Sequence, residues 1–164
     1  MKNMRKVFKV MLGVVAVAVT LLTGTKEVKA APDYFYVELA EGTAATVEAP
    51  DLSDKYEYTF DLSGTWKPVT GSTLLSTASN STKVYFRATG NYPTIPGGNS
   101  FKTESGSVRI GGDILTLLNK NPSQAQMGSA AFQHLFEYCT GIVDASQLKL
   151  PNNVTSECYQ QMFR

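Results

Sequence analysis

The chain has 164 residues, 43% of them hydrophobic, with one histidine, two cysteines and a formal net charge of +1. That is enough for one ordinary domain, or a small domain and part of another, and it excludes a disulfide-framework protein and a multi-histidine metal site. Residues 31–164 alone hold nine Lys/Arg against thirteen Asp/Glu, a charge of −4, and with no basic cluster they carry no footprint for nucleic acid.

Residues 1–30 explain the difference. Lys2, Arg5, Lys6 and Lys9 precede the apolar run Val10–Leu22, and Val28 and Ala30 stand before Ala31. This is the layout of a secretory signal peptide cleaved after Ala30. The run has 13 residues, short of the ~20 that a membrane-crossing helix needs. The sequence therefore predicts an exported, secreted or cell-surface protein with no membrane insertion after cleavage.

Residues 31–111 read as a β-sandwich-like antiparallel domain. Lys83–Thr89 alternates apolar and polar side chains through Val84, Phe86 and Ala88, and Tyr34, Tyr36, Val37, Tyr56, Tyr58 and Phe60 sit at strand-like positions. The expected core includes Phe60, Val84, Phe86 and Ile110. Turn clusters lie at 51–54, 79–82 and 90–99, the last with two prolines and three glycines. Phe101–Ile110 reads as a hairpin turning at Glu104-Ser105-Gly106.

The character changes at Gly111-Gly112. Residues 112–164 are expected to form a linking helix over 113–119, capped by Asp113, and then the start of a repeat. Phe132-Gln133-His134-Leu135-Phe136 returns as Tyr159-Gln160-Gln161-Met162-Phe163, each position 27 residues on. Short helices are expected at 129–136 and from Thr155 or Ser156 through Phe163, with a strand holding Ile142 and Val143 between them. A helix–turn–strand–turn–helix unit of this length is a solenoid unit, which buries its apolar face only against the next one.

The candidate chemistry is sparse. His134 gives way to Gln161 one unit later, so it reads as a polar position on a repeat face. Asp51, Asp54, Glu57 and Asp61 would be paired carboxylates in a glycosidase, but lie in a turn and the strand after it, where Asp serves backbone hydrogen bonds or solvation. The glycine-rich stretch 90–99 lacks the Lys-Ser/Thr of a phosphate loop and reads as a surface loop. Asn80-Ser81-Thr82 and Asn153-Val154-Thr155 match the glycosylation acceptor pattern. Trp66 and the tyrosines are either a sugar-stacking platform or ordinary β-core residues. Cys139 and Cys158 either pair, as an exported chain allows, or remain free and buried. They occupy different places in the repeat, because Cys158 aligns with Ala131. No catalytic residue, no metal ligand and no cofactor is expected, and the ligand-binding residues are not identified.

The repeat resembles those of bacterial surface leucine-rich repeat proteins of the BspA-like type, through Leu135, Phe136, Cys139, Thr140, Leu148, Pro151, Cys158, Tyr159, Met162 and Phe163. It departs in Glu137-Tyr138, where a glycine usually precedes the cysteine, and in Gly141-Ile142, where Ser-Leu is common. Residues 61–66, 83–91 and 101–118 are similar to the β-rich domain that often precedes such repeats. The resemblance implies a truncated amino-terminal part of an adhesin-like surface protein with further repeats. It also implies a non-catalytic role, binding a protein or glycan at a cell or host surface. The alternative is a carbohydrate-binding module of a secreted glycan-processing protein.

Overall fold

Seven strands form one mixed sheet in the computed structural model, which describes residues 32–49, 54–95 and 101–164. They are β1 (Tyr36–Glu48), β2 (Tyr56–Thr59), β3 (Lys67–Pro68), β4 (Ser72–Ser76), β5 (Lys83–Ala88), β6 (Lys102–Asp113) and β7 (Ile142–Lys149). The order is β3-β2-β5-β1-β6-β7, and β4 pairs with the second half of β1. All pairs are antiparallel except β6–β7, which is parallel. The chain is mainly β. The predicted signal peptide lies outside the described residues.

Period-two alternation builds the core. Val84, Phe86 and Ala88 of β5 point inward with Val37 and Leu39 of β1, and Val108 and Ile110 of β6 join them. Beyond β6 the buried set continues through Ile114, Leu117, Leu118, Phe132, Leu135 and Phe136 into the same cluster. Pro32–Arg164 is thus one compact unit, and the boundary expected between residues 111 and 112 falls inside β6. Phe60, expected in the core, is 41% exposed. It lies one residue past the end of β2 and leans edge-on against Tyr58, with ring centroids 5.9 Å apart.

The hairpin expected at residues 101–110 is one continuous strand. A hairpin requires its arms to pair with each other, whereas β1 is long enough to pair with both. Thr103 faces Val47, and Ser107 faces Glu41. The turn-like Gly106, at φ +74°, sits opposite a bulge in which four residues of β1, 42–45, face one of β6. At Gly112, φ is +78° and the Tyr34 carbonyl occupies the place where a Cβ would project. Only glycine fits both demands.

The predicted helices are absent as well. Residues 114–117 make a single 3-10 turn, capped as expected by Asp113, whose carboxylate accepts from the Leu115 amide at 2.9 Å. Residues 129–138 and 156–161 are rows of turns. Ala130, His134 and Tyr138 adopt φ near +60°, as do Glu157 and Gln161 one unit later. A left-handed residue at every fourth position stops an i→i−4 ladder from forming. The amides of Gln133, Leu135, Glu137 and Cys139 bond three residues back instead. Those of Ala130, Phe132, His134, Phe136 and Tyr138 donate to the carbonyls of Ser156, Cys158, Gln160, Met162 and Arg164. The 27-residue phase seen in the sequence is therefore a physical stacking of two rows. Gln133 Nε2 donates to Gln160 Oε1 at 2.7 Å, Phe132 stacks on Tyr159, and Phe136 stacks on Phe163.

Candidate binding surface

Three surfaces frame the sites named from sequence: the outer face of the sheet, a cleft beside the rows, and the last row itself. On the outer face, Arg87 of β5 lies opposite Glu57 of β2, and Nε and Nη2 both donate to Glu57 Oε2, at 2.9 and 2.7 Å. The same guanidinium covers the Trp66 ring at 3.9 Å, and Tyr34 meets Trp66 edge-on. Two residues along β5, Tyr85 faces Tyr36 of β1 at 67° between planes, and Tyr36 lies over Gly111 of β6, where a side chain would otherwise stand. Lys83 is 3.9 Å above the Tyr36 ring and 3.4 Å from Glu38. Glu38 in turn faces Arg109, which faces Asp144 of β7. Charge alternates in sign across four strands.

These four aromatics are half-buried on the outer face of the sheet rather than in the core. A sugar platform needs open, coplanar ring faces. The Tyr34–Trp66 and Tyr36–Tyr85 pairs are edge-on, and cations already cover a face of Trp66 and of Tyr36. Sequence reasoning found the aromatics and missed their partners. The signal available was the i, i+2 spacing of Lys83, Tyr85 and Arg87.

Of the four acidic residues, the three that are described are engaged separately. Asp51 lies outside the described residues, Asp54 is exposed, and Glu57 is held by Arg87. Asp61 closes a turn, its carboxylate accepting from the Ser63 amide and hydroxyl, which hold its pKa below the usual carboxylate range. The Ser146 amide does the same for Asp144. Burial raises the Asp113 pKa instead, against the opposing effect of the Leu115 amide. His134 Nδ1 contacts Glu137, which also lies 3.9 Å from Arg164. Cys139 and Cys158 are free thiols, and Cys139 Sγ lies 3.7 Å from Thr103 Oγ1. Among the described residues no group of three or more His, Cys, Asp or Glu is placed to hold a metal, and no helix is long and apolar enough to cross a membrane.

A cleft of about 550 Å³ opens between residues 115–127 and 151–155, lined by Leu115, Ala125, Met127, Pro151 and Val154 with Asn153. Met127 and Val154 are 27 residues apart. Next to the cleft, Thr155 Oγ1 donates to the Gly128 carbonyl at 2.6 Å. The glycine-rich stretch is described only as far as Ile95, which is buried and whose amide donates to the Ala131 carbonyl. Comparison with protein-family models, curated proteins and solved structures finds no match for this chain.

Proposed function

We propose that this chain is the amino-terminal part of an exported, non-catalytic repeat protein of BspA-like type. In this reading a β-sandwich-like domain leads into a leucine-rich solenoid that binds a protein or glycan at a cell or host surface. The observation that carries the reading is the five-rung ladder from residues 130–138 to 156–164, phased by the same repeat that is legible in the sequence. Each unit adds one strand and one row, so successive units would extend a continuous face, which suits recognition of another macromolecule. The self-paired charges and the dispersed acidic residues support a binding role over a hydrolytic one. The covered rings of Trp66 and Tyr36 favour macromolecular recognition over the carbohydrate-module alternative.

Binding of the exported chain to immobilised extracellular-matrix proteins and to a glycan panel tests this. Saturable binding to a protein or a complex glycan is expected, with Trp66 emission unchanged. Binding of short oligosaccharides that quenches Trp66 would shift the assignment to a carbohydrate module. Turnover of a glycan or peptide would end the non-catalytic reading.

A further inference from the structure

The second half of β1 carries β4 on one side and β6 on the other, so β4 is an edge strand. One pair of bonds fixes which of its backbone groups are free. The Ser76 amide donates to the Ser81 carbonyl, and the Ser81 amide donates back to the Ser76 carbonyl, each at 3.1 Å. Both groups of Ser76 therefore point away from β1, whereas the Thr77 amide donates to the Thr43 carbonyl of β1. Backbone direction alternates along an antiparallel strand, so Thr73 and Leu75 bond β1 while Ser72 and Leu74 turn outward as Ser76 does. Among the described residues nothing bonds the backbone of Ser72 or Leu74 on that side.

Sheets ordinarily blunt such an edge. β3 is two residues long and holds Lys67 and Pro68. β4 holds neither charge nor proline, and its register with β1 runs from Ser72 to Ser76 without a bulge. Its Leu74 is 58% exposed. The absence of charge extends over fourteen consecutive residues, Val69–Thr82, up to Lys83 and its contact with Glu38.

We propose that β4 pairs with β4 of a second copy, antiparallel about a twofold axis at Thr73, so that one sheet runs through both molecules. In that register Ser72 of each copy exchanges amide and carbonyl bonds with Leu74 of the other. Three observations select this occupant. The free edge is bounded at both ends, by Ser81 beside Ser76 and by the bend at Gly71, whose φ is +113°. Pairing about Thr73 uses the two outward residues between those bounds, and the bend carries residue 70 away from Ser81 of the other copy. Twofold symmetry also sets like against like, which brings no repulsion where residues 69–82 are uncharged. Finally, a loose peptide would reach the same two residues and lose its chain freedom for them, whereas a second β4 is already held extended by β1. The pairing closes on itself and stops at two copies. It is independent of which ligand the protein binds.

Sedimentation equilibrium of the exported chain reads this directly, and so short an edge should give a dimer with Kd between about 10 μM and 1 mM. The Ser72 and Leu74 amides should exchange more slowly as concentration rises through that range. Leu74→Lys and Leu74→Glu test the register, because the two side chains at position 74 would lie diagonally, roughly 7–8 Å apart. Both positions are exposed, so thermal melts should match the parent. Each variant alone should pair about tenfold more weakly than the parent, and an equimolar mixture at least threefold more tightly than either alone. The proposal is overturned if the parent stays monomeric throughout, if a dimer forms without slowing those two amides, or if both variants pair as tightly as the parent. A mixture that gains nothing over the single variants overturns it, and so does growth past the dimer. A free peptide copying residues 70–76 that protects the Leu74 amide at concentrations where the chain is monomeric also overturns it, because a loose strand would then suffice.

Discussion

Phe136 and Phe163 stack with ring centroids 5.1 Å apart, yet the first is 2% exposed and the second 52%. They lie 27 residues apart and face each other across the two rows. Phe136 also touches Phe35 and Phe101, at 5.9 and 6.1 Å, and so joins the repeat to the β-core. Phe136→Ala should therefore cost about 3–5 kcal/mol, as for a fully buried ring. Phe163→Ala should cost roughly a third of that, in proportion to the apolar surface it shields. Urea unfolding of the two variants measures the difference, and equal losses would contradict the burial of Phe136.

Gly112 and Gly42 both have positive φ, but only one is crowded. At Gly42 nothing lies within 4 Å of an added Cβ, whereas at Gly112 the Tyr34 carbonyl blocks it. Gly42→Ala should cost about 1–2 kcal/mol, from backbone strain alone. Gly112→Ala should cost clearly more, because β6 must also move away from Tyr34. Thermal melts of both variants provide the comparison.

Arg87 touches Glu57 and Trp66 together, and Trp66 is the only tryptophan. Arg87→Ala should shift its emission to longer wavelength and lower stability by about 1–2 kcal/mol, since a half-buried pair and a cation–π contact are lost at once. Arg87→Lys keeps the charge but not the planar contact, and should recover less than half of the loss. Unchanged emission in Arg87→Ala would place the guanidinium elsewhere in solution.

The Tyr56 and Tyr159 hydroxyls are buried without a hydrogen-bond partner. Burial raises both pKa values above 10, that of Tyr159 to about 12 and that of Tyr56 further. Raised folded-state values mean that the stabilisation is complete below the unfolded value of about 10 and is lost as pH climbs through the folded values. Ultraviolet titration should show these two hydroxyls ionising well above pH 10, together with alkaline unfolding. Tyr56→Phe should be neutral or mildly stabilising, because it removes a polar atom that has no partner.

The strands were legible where side chains alternate, as at Val84, Phe86 and Ala88, because burial on one face leaves a period of two. The rows misled, because Phe132, Leu135 and Phe136 have helical spacing and are buried as a helix would bury them. What separates a row of turns from a helix is the left-handed backbone at Ala130, His134 and Tyr138, and none of these is a glycine that would have announced it. The 27-residue phase was visible because stacking requires like to meet like. The ion-pair rows of the outer face were not, since Glu57 and Arg87 become neighbours only through the register of β2 and β5.

The parallel pairing of β7 with β6 governs the order in which the molecule can assemble. Antiparallel β1 and β6 pair from end to end, but β7 reaches β6 only after residues 114–141 have looped back. Closing a segment of that length costs about 3 kcal/mol of chain entropy before any β6–β7 bond forms, and the long separation slows the search. The first row is tied to the start of β6 by the Phe101 amide, which donates to the Leu135 carbonyl. The sheet from β1 to β6 should hence appear first in refolding, with β7 and the second row as a slower phase. While that phase lasts, the outer edge of β6 is exposed and able to pair with another chain, so refolding yield should fall as protein concentration rises.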